Sequence, residues 1–179
     1  MRKIILPIIY FILISGICFA ADPAEGFWLS IDEKSGKITA GWEIYIVDNK
    51  LYGKILSITE FPQYVKAEKN KESYKGFTVP GKANELPVVG TPWLFDLKMD
   101  SPGVWSGGSL IDPQTGNMYK GKVIFHKMDG NKYKSDTLEM RGEVIFGIGR
   151  SQFWKRSTRE EASSLRFLWT SPAGEVIPL

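Results

Sequence analysis

Apolar and polar residues alternate along most of the chain, and this alternation is the first guide to its fold. Within residues 37–47, Trp42, Ile44 and Ile46 occupy every second position, while a glutamate and a tyrosine fall between them. Successive side chains of a β-strand point to opposite faces, so a period of two predicts a strand that buries one face. The Asp48-Asn49 pair that follows tolerates positive φ at both positions and therefore predicts a tight hairpin.

The same alternation recurs in short segments that are separated by turn signals. Strands are predicted at 26–31, 37–47, 50–58 and 93–98, in both arms of a hairpin between 105 and 128, and at 132–141 and 143–150, with 152–155 as an extension or a last strand. Gly142 is interpreted as the break between the 132–141 and 143–150 strands. Short strands joined by turns, without a long helical period, favour antiparallel structure, and closure into a barrel removes exposed sheet edges. We therefore predict an all-β fold, an antiparallel up-and-down β-barrel of about 8–10 strands, with an open β-sandwich as the alternative.

The densest turn signal lies in residues 105–122. Pro113 after Asp112 fixes φ for a turn, and Gly116 tolerates positive φ, so this segment is predicted to be a β-hairpin. The Ser-Gly-Gly-Ser sequence at 106–109 is interpreted as a glycine bulge in the first strand of that hairpin rather than as a nucleophile loop.

Residues 31–37 repeat the turn chemistry of residues 111–117. Both stretches begin with Ile-Asp, have Ser or Thr at the fifth position and Gly at the sixth, and follow a few residues after a tryptophan. An internal duplication would explain the match. An early Asp and a late Gly are also what such hairpin turns require, and we favour turn chemistry as the explanation.

Periodicity fails in residues 59–92, which are rich in Lys, Glu and Asn. A short helix could form at 63–73. A long irregular segment in a compact domain is usually a lid, a binding loop or a solvated connection, and we predict a lid-like loop. Near the C-terminus, residues 157–164 are predicted to form a short helical turn, because Thr158 and Glu161 have the spacing of a capping box.

Residues 1–20 combine two basic residues, an apolar run and a final small residue, which is the pattern of a secretory signal peptide cleaved after Ala20. The run is short and interrupted, and polar residues follow it, so no transmembrane segment is expected in the mature chain. Lipid attachment at Cys18 is not favoured, because lipoprotein processing requires a small residue before the cysteine and Ile17 is large. We predict an exported protein, periplasmic or extracellular, in which residues 21–179 form a single β-barrel domain.

Composition disfavours several kinds of partner. The sequence has 23 Lys and Arg residues against 20 Asp and Glu residues, and Cys18 is its one cysteine. Cleavage after Ala20 would remove two of the basic residues and the cysteine, which leaves a nearly neutral chain. We therefore expect no nucleic-acid partner and no anionic-membrane partner. We also expect no disulfide and no thiolate chemistry. The oligomeric state is not predicted.

Catalytic and metal-binding patterns are sparse. His126 is the one histidine, and a metal site needs several ligands, so we predict neither a metal nor a cofactor. A Ser-His-Asp triad would have to use His126, and no serine lies in a Gly-x-Ser-x-Gly elbow. Asp112 and the other carboxylates lie in no motif that demands catalysis, so a carboxylate-dependent hydrolase is the least favoured function. We predict that the protein is not an enzyme.

Aromatic residues give the remaining functional signal. The six tryptophans lie at positions 28, 42, 93, 105, 154 and 169. In a barrel of about eight strands, inward aromatic rings either fill the centre or line a cavity for an apolar ligand, and both interpretations remain open. The candidate ligand-binding residues are Trp42, Trp93, Trp105, Tyr119 and Arg141.

Two families have motifs similar to those of this chain. Gly26-Phe27-Trp28 on the first predicted strand resembles the Gly-x-Trp of lipocalins, in which the tryptophan closes one end of the barrel and an arginine from a late strand covers its ring. The resemblance implies that Arg150 or Arg156 takes the part of that arginine here.

The second resemblance spans nearly the whole mature chain, and the family is the DUF2147 family of small secreted bacterial proteins. The matching residues are Gly26-Phe27-Trp28, Gly36-Lys37, Leu51-Tyr52-Gly53-Lys54-Ile55, Leu86-Pro87-Val88-Val89-Gly90, Trp105-Ser106-Gly107-Gly108, Asp112-Pro113 with Gly116 and Tyr119, Met140-Arg141-Gly142, and Trp154-Lys155-Arg156. The chain departs from the family at 69–71 and at Leu86, where the family has Asp, Asn-Pro and Arg. The roles of those family residues are therefore not carried over.

The DUF2147 resemblance implies an exported, lipocalin-like β-barrel and no established activity. The structural motif residues that it assigns are Gly26, Trp28, Asp112, Gly116, Gly142, Trp154 and Arg156. We predict an exported, non-catalytic protein whose barrel binds a small apolar or amphipathic ligand. The alternative is an envelope interaction or structural module with a packed barrel, which would show an exposed apolar patch instead of a cavity.

Overall fold

Eight consecutive strands form one closed antiparallel barrel in the computed structural model, which describes residues 21–145, 148–167, 169–170 and 176–177. The strands are β1 (Gly26–Ile31), β2 (Ile38–Val47), β3 (Lys50–Ile58), β4 (Pro92–Ser101), β5 (Val104–Ile111), β6 (Met118–His126), β7 (Thr137–Ile145) and β8 (Ile148–Ser157). Each strand pairs with the next, and β8 pairs back onto β1. The prediction of an all-β, up-and-down barrel is confirmed. The predicted signal segment, with Cys18, lies outside the described residues.

Tight turns and a bulge set the register of the hairpins. Asp48 and Asn49 have φ values of 49° and 60°, which gives β2 and β3 the two-residue hairpin that their sequence predicts. In β5, Gly107 has a φ of 76° and the pairing with β6 shifts just before Gly108, so the Ser-Gly-Gly-Ser stretch is a bulge. A Cβ at Gly108 would collide with the carbonyl oxygen of Phe95, so glycine is required where β5 passes β4.

Gly142 lies inside β7 and does not separate two strands, so the predicted break there is wrong. The predicted strand 143–150 is instead divided between β7 and β8, and 152–155 belongs to β8. A Cβ at Gly142 would lie 3.3 Å from the Cβ of Tyr119 on the neighbouring strand β6. A larger residue would press against the Tyr119 side chain, so glycine eases the fit between the two strands here.

The connection between β3 and β4, residues 59–91, is irregular, as predicted, and forms no helix at 63–73. It packs against the outer wall of the barrel. Phe77 stacks on Trp93 with ring centroids 5.6 Å apart and meets Phe95 edge-on, which buries both of these β4 residues on the outer face of the sheet. The long connection therefore covers β4 from outside.

A short helix, α1 (Arg159–Ser164), follows β8 and packs on the outside of the barrel. The Thr158 hydroxyl accepts a hydrogen bond from the Glu161 backbone N–H at 3.1 Å, which confirms the predicted helical turn and its cap. A two-stranded ribbon pairs β9 (Trp169–Thr170) with β10 (Val176–Ile177). None of the helices in the described part of the chain is long and apolar enough to cross a membrane.

Candidate functional site

The connections of the barrel alternate between its two ends, because each strand reverses the direction of the one before it. The β1–β2, β3–β4 and β5–β6 connections lie at one end, together with the last residues of β7 and the first residues of β8. We call this the open end because a cavity reaches the surface there. The β2–β3, β4–β5 and β6–β7 connections lie at the other end, which we call the closed end.

The segment formed by residues 22–25 seals the closed end through hydrogen bonds. The Asp22 carboxylate accepts a hydrogen bond from the Trp105 indole at 3.1 Å and one from the Gly103 backbone N–H at 2.9 Å. Trp105 is fully buried, so its donor needs this acceptor. One carboxylate thereby ties the segment to the β4–β5 turn and to the core.

Arg156 and Trp28 complete the same end. The Arg156 guanidinium lies 4.1 Å from the centre of the Trp28 ring and donates hydrogen bonds to carbonyl oxygens of the 22–25 segment. Trp28 is fully buried, and its indole donates to the carbonyl oxygen of Ala24 at 3.0 Å. Of the two arginines that the lipocalin resemblance offers, Arg156 covers the tryptophan, whereas Arg150 lies at the open end.

A cavity of about 410 Å³ occupies the open half of the barrel. Its buried wall includes Trp42, Ile55, Ile58, Ile111, Met140 and Trp154. Trp42 and Trp154 stack there with their ring centroids 4.8 Å apart. Sites for small molecules typically have volumes of about 300–1,000 Å³ and walls of this apolar and aromatic kind. The open half therefore has the size and the surface of a small-molecule site.

Trp42 differs from the other tryptophans whose side chains the structure describes. The indoles of Trp28, Trp93, Trp105 and Trp154 donate hydrogen bonds to protein oxygens at 2.8–3.1 Å. The Trp42 indole N–H is buried and has no hydrogen-bond partner within the described ranges. Trp42 is 7% exposed and lines the cavity. A buried donor without an acceptor costs stability, so this unpartnered N–H lowers the stability of the half of the barrel that holds the cavity.

Two turns of the same design border the mouth of the cavity. In the β1–β2 turn, Asp32 accepts hydrogen bonds from the backbone N–H and the hydroxyl of Ser35, both at 2.8 Å. In the β5–β6 turn, Asp112 accepts from the Gln114 backbone N–H at 2.9 Å and from the Thr115 hydroxyl at 2.8 Å. The two hairpins are four strands apart in a barrel of eight, so they lie on opposite sides of the mouth.

Charged side chains gather at this mouth. The charged residues that line it are Asp32, Glu60, Asp112 and Arg150. The hydrogen bond from the Ser35 backbone N–H holds the pKa of Asp32 below its ordinary value, so this carboxylate is ionised near neutral pH. Arg150 donates to Glu33 at 3.4 Å. The apolar cavity thus ends in a charged and mostly acidic rim.

The structure places two of the five candidate ligand-binding residues in the cavity wall, Trp42 and Tyr119. Trp105 lies at the closed end. Trp93 lies on the outer face of β4 under the long connection. Arg141 lies on the outer face of β7, where it pairs with a neighbouring glutamate. These last three residues do not line the cavity, and ligand binding by Trp42 and Tyr119 stays a prediction.

The seven structural motif residues fall into three places. The closed end holds Gly26, Trp28 and Arg156, the β5–β6 turn holds Asp112 and Gly116, and the cavity wall holds Gly142 and Trp154. Gly116 has a φ of 74°, and a Cβ there would collide with the carbonyl oxygen of Lys69. Glycine at this turn therefore allows the long connection to pack against the rim of the cavity.

The one histidine lies outside any nucleophilic triad. His126 Nε2 lies 2.9 Å from one carboxylate oxygen of Glu139, and the Ser151 hydroxyl donates to the other oxygen at 2.6 Å. A triad needs histidine between the serine and the carboxylate, and here glutamate holds the central place. Asp112, the first hydrolase candidate, uses both carboxylate oxygens within its own turn. The described residues contain no group of three or more side chains that could hold a metal ion.

Sequence reasoning missed several residues at the rim and in the wall, namely Asp32, Glu60, Met140 and Gln152. A signal for Asp32 was available in the repeated Ile-Asp turn. Once a barrel of eight strands in chain order is assumed, two such turns four strands apart must face each other across one end. Glu60 carried no signal, because its position depends on how the long connection packs.

Two comparisons with known proteins agree with this fold. A family model described as an uncharacterized protein conserved in bacteria (DUF2147) matches residues 26–156, which span nearly the whole barrel. Among solved structures, the chain is similar to protein HP1028 from the human pathogen Helicobacter pylori, which is described as belonging to the lipocalin family. The TM-score is 0.58 at 19% sequence identity, over 77% of this chain and 85% of that chain, so the likeness concerns the fold. No curated protein matches the chain in sequence.

Proposed function

The chain belongs to the DUF2147 family of uncharacterized bacterial proteins, so we infer its function from its own site. We propose that it is an exported, non-catalytic protein that binds a small apolar or amphipathic molecule inside its barrel. The apolar part of the molecule lies against the buried wall around Trp42 and Trp154. Any polar part lies at the open end, where the charged lining residues are half-buried (Asp32 and Asp112) or exposed (Glu60 and Arg150).

The cavity is the observation that supports this proposal. Protein interiors are normally packed as densely as organic crystals, so an open volume of about 410 Å³ inside a small barrel forgoes many favourable contacts. A bound apolar molecule would restore those contacts. The alternative of a packed barrel that serves as an interaction module gains no such support.

The proposal that the protein is not a catalyst rests on the geometry of its reactive side chains. His126 and Ser151 both contact Glu139, so the serine hydroxyl donates to a carboxylate and lacks the histidine base of a triad. Export rests on the signal-peptide pattern of residues 1–20. Cleavage after Ala20 would leave the sealing segment 22–25 in place. Mass spectrometry of protein recovered from the periplasm or the medium is therefore expected to find a chain that begins at Ala21.

Titration with a neutral, apolar fluorescent dye such as N-phenylnaphthylamine tests the binding proposal. We expect saturable binding by the wild-type protein. Ala40 lines the cavity and is 7% exposed, so Ala40→Trp fills part of the volume and is expected to weaken dye binding about tenfold or more. The matched control is Val47→Trp, which adds the same indole at a position that is 48% exposed at the closed end of β2.

Two results would overturn the proposal. One is the absence of saturable binding by a wild-type protein that circular dichroism shows to be folded. The other is equal dye affinity in the wild type and in Ala40→Trp, since a dye that ignores a filled cavity binds elsewhere. A separate groove of about 380 Å³ lies on the outer wall between Ile31, Tyr133 and Phe153, and it is the expected location of such binding.

A further inference from the structure

The charges at the mouth of the cavity are not balanced. Three carboxylates line it, Asp32, Glu60 and Asp112, and none of them forms an ion pair within the described ranges. Their hydrogen-bond donors are neutral groups of the two turns and the Gln114 side chain, which donates to Glu60 at 2.8 Å. No ion pair among the described residues therefore compensates these carboxylates.

The one cation that lines the mouth is compensated. Arg150 lies 3.4 Å from a carboxylate oxygen of Glu33, outside the cavity lining. Lys34 and Lys37 in the β1–β2 turn are exposed and do not line the cavity. The charged groups that line the entrance are therefore three carboxylates without ion pairs and one paired guanidinium, and the Lys34 charge acts on Asp32 from outside the lining. A concave, low-dielectric wall behind such a rim strengthens its field at the entrance.

The interior of the same cavity independently points to an occupant. Trp42 is more than nine-tenths buried, lines the cavity and has an indole N–H without a partner in the part of the chain that the structure describes. Trp42, Trp154 and Tyr119 also give the wall three aromatic rings, and aromatic faces attract cations. The aromatic faces of the wall therefore favour a cationic group over an anionic one.

From these charges and contacts, and given the proposed binding function, we propose that the cavity takes amphipathic molecules with a cationic head group in preference to anionic ones. The ammonium group lies at the rim among Asp32, Glu60 and Asp112. The apolar chain lies against the buried wall beside Trp42 and Trp154.

Three probes that share one dodecyl chain and differ in their head groups test this preference. Dodecyltrimethylammonium, dodecanol and dodecanoate are compared below their micelle concentrations by displacement of the neutral dye from the cavity. We expect the ammonium probe to bind about tenfold or more tightly than the carboxylate at low salt, with the alcohol between them, since each rim carboxylate acts over a few ångströms. Added salt should reduce the ratio.

Charge-neutral variants assign the preference to the rim. Asp32→Asn with Asp112→Asn removes two charges but keeps a side-chain oxygen that can cap each turn. We expect the ratio of ammonium to carboxylate affinity to fall severalfold, with the alcohol bound as in the wild type. The matched control is Asp129→Asn. Asp129 also caps a turn, by accepting from the N–H groups of Asn131 and Tyr133 at 2.8 and 2.9 Å, but it lies at the closed end and should leave the ratio unchanged.

The outcomes separate this inference from the proposed function. If no probe displaces the dye and the dye itself does not bind, the proposed function fails. If the alcohol displaces the dye but the carboxylate binds as well as the ammonium or better, the inference fails and the proposed function stands. The inference would also be overturned by a preference for the ammonium probe that is unchanged in the Asp32→Asn, Asp112→Asn double variant, or by one that disappears in Asp129→Asn. Anions held by Lys132, Lys134 and Lys155 in the outer groove do not displace the dye and so do not enter the ratio.

Discussion

The two ends of the barrel differ in the hydrogen bonding of their buried tryptophan indoles. At the closed end, the buried indoles of Trp28 and Trp105 donate to protein oxygens at 3.0 and 3.1 Å, and Arg156 covers the Trp28 ring. In the open half, the Trp42 indole is also buried, but its N–H has no partner among the described residues. A cavity of about 410 Å³ lies beside it.

This difference separates the part of the molecule that supplies stability from the part that is suited to binding. Packed interiors have few voids, and their buried polar groups are hydrogen-bonded. The buried indoles of the closed end follow the second rule, although Arg156 Nε there has no hydrogen-bond partner among the described residues. In the open half, a cavity and an unpartnered indole N–H lie at the same place. Such departures are expected where a protein gives up stability for function. Substitutions at the closed end should therefore lower the free energy of unfolding, whereas those in the open half should mainly change ligand affinity.

The largest effect is expected from removing a whole indole at each end. Trp28→Ala leaves a void among fully packed neighbours and should lower the free energy of unfolding by about 3–5 kcal/mol. Trp42→Ala should cost less, because its ring already borders an open cavity and makes fewer contacts. Equilibrium urea denaturation of both variants measures the difference, with Trp28→Phe in reserve if Trp28→Ala does not fold. Equal losses at the two ends would contradict the comparison.

Much of the barrel wall could be predicted from the sequence because its signals are local. Asp48 and Asn49 both tolerate positive φ, and they form the tight turn between β2 and β3. The spacing of Thr158 and Glu161 likewise gives the helix cap. Gly142 was misinterpreted because the need for glycine there comes from Tyr119, a residue 23 positions earlier on the adjacent strand. A glycine that breaks a strand and one that makes room for a neighbour look the same in the sequence.

The site was harder to predict, because alternation shows which residues share a face but not which face points inward. Trp93 looks like a cavity residue, yet its face of β4 is buried under Phe77 of the long connection. Arg141 belongs to the outward face of β7. Trp42 and Tyr119 were identified from aromatic character, and they line the cavity. The missing partner of the Trp42 N–H depends on the whole packing and has no counterpart in the sequence.

A smaller effect is expected when only the indole N–H is removed. Trp105→Phe deletes the donor to Asp22 and leaves that carboxylate with one fewer partner at the closed end, so the free energy of unfolding should fall by about 1–3 kcal/mol. Trp42→Phe deletes a donor that has no partner, so the ligand-free protein should lose clearly less stability than Trp105→Phe, or none. Ligand affinity should show the reverse order, because Trp42 lines the cavity and Trp105 does not, so only Trp42→Phe changes the wall that an occupant contacts.

Urea denaturation and dye titration of this pair measure both quantities on the same preparations. Both substitutions remove the same atoms, so both lose the same ring volume. The two variants differ in whether the deleted N–H had a hydrogen-bond partner. A Trp42→Phe protein as unstable as Trp105→Phe would mean that the Trp42 donor is satisfied in solution, by water or by another part of the chain. The distinction between the two ends would then lose its main support.

The smallest effect is expected in acid, at a carboxylate on the wall of the closed half. Asp96 Oδ1 accepts hydrogen bonds from the Lys50 ammonium group and the Tyr52 hydroxyl, both at 2.9 Å. The Lys50 hydrogen bond is the main cause that lowers the pKa of Asp96 below its ordinary value of 3.8. The folded state therefore binds fewer protons at this group than the unfolded state does. Its contribution to stability is complete above the ordinary value and is lost as the pH falls through the lower, folded value.

Asp96→Asn should flatten this part of the acid profile, because it removes the titrating group while keeping an oxygen acceptor and a residue type that tolerates the observed φ of 61°. At the open rim, Asp32→Asn should flatten the profile less. The Asp32 carboxylate accepts hydrogen bonds from neutral Ser35 groups, and these are weaker than a hydrogen bond from a charged donor such as the Lys50 ammonium group at Asp96. Urea midpoints measured from about pH 6 to about pH 2.5 compare the two variants with the wild type. Two results would contradict this expectation: an Asp96→Asn profile equal to that of the wild type, or a larger change of the profile in Asp32→Asn than in Asp96→Asn. Either result would mean that electrostatic contacts do not stabilise the closed half more than the open half.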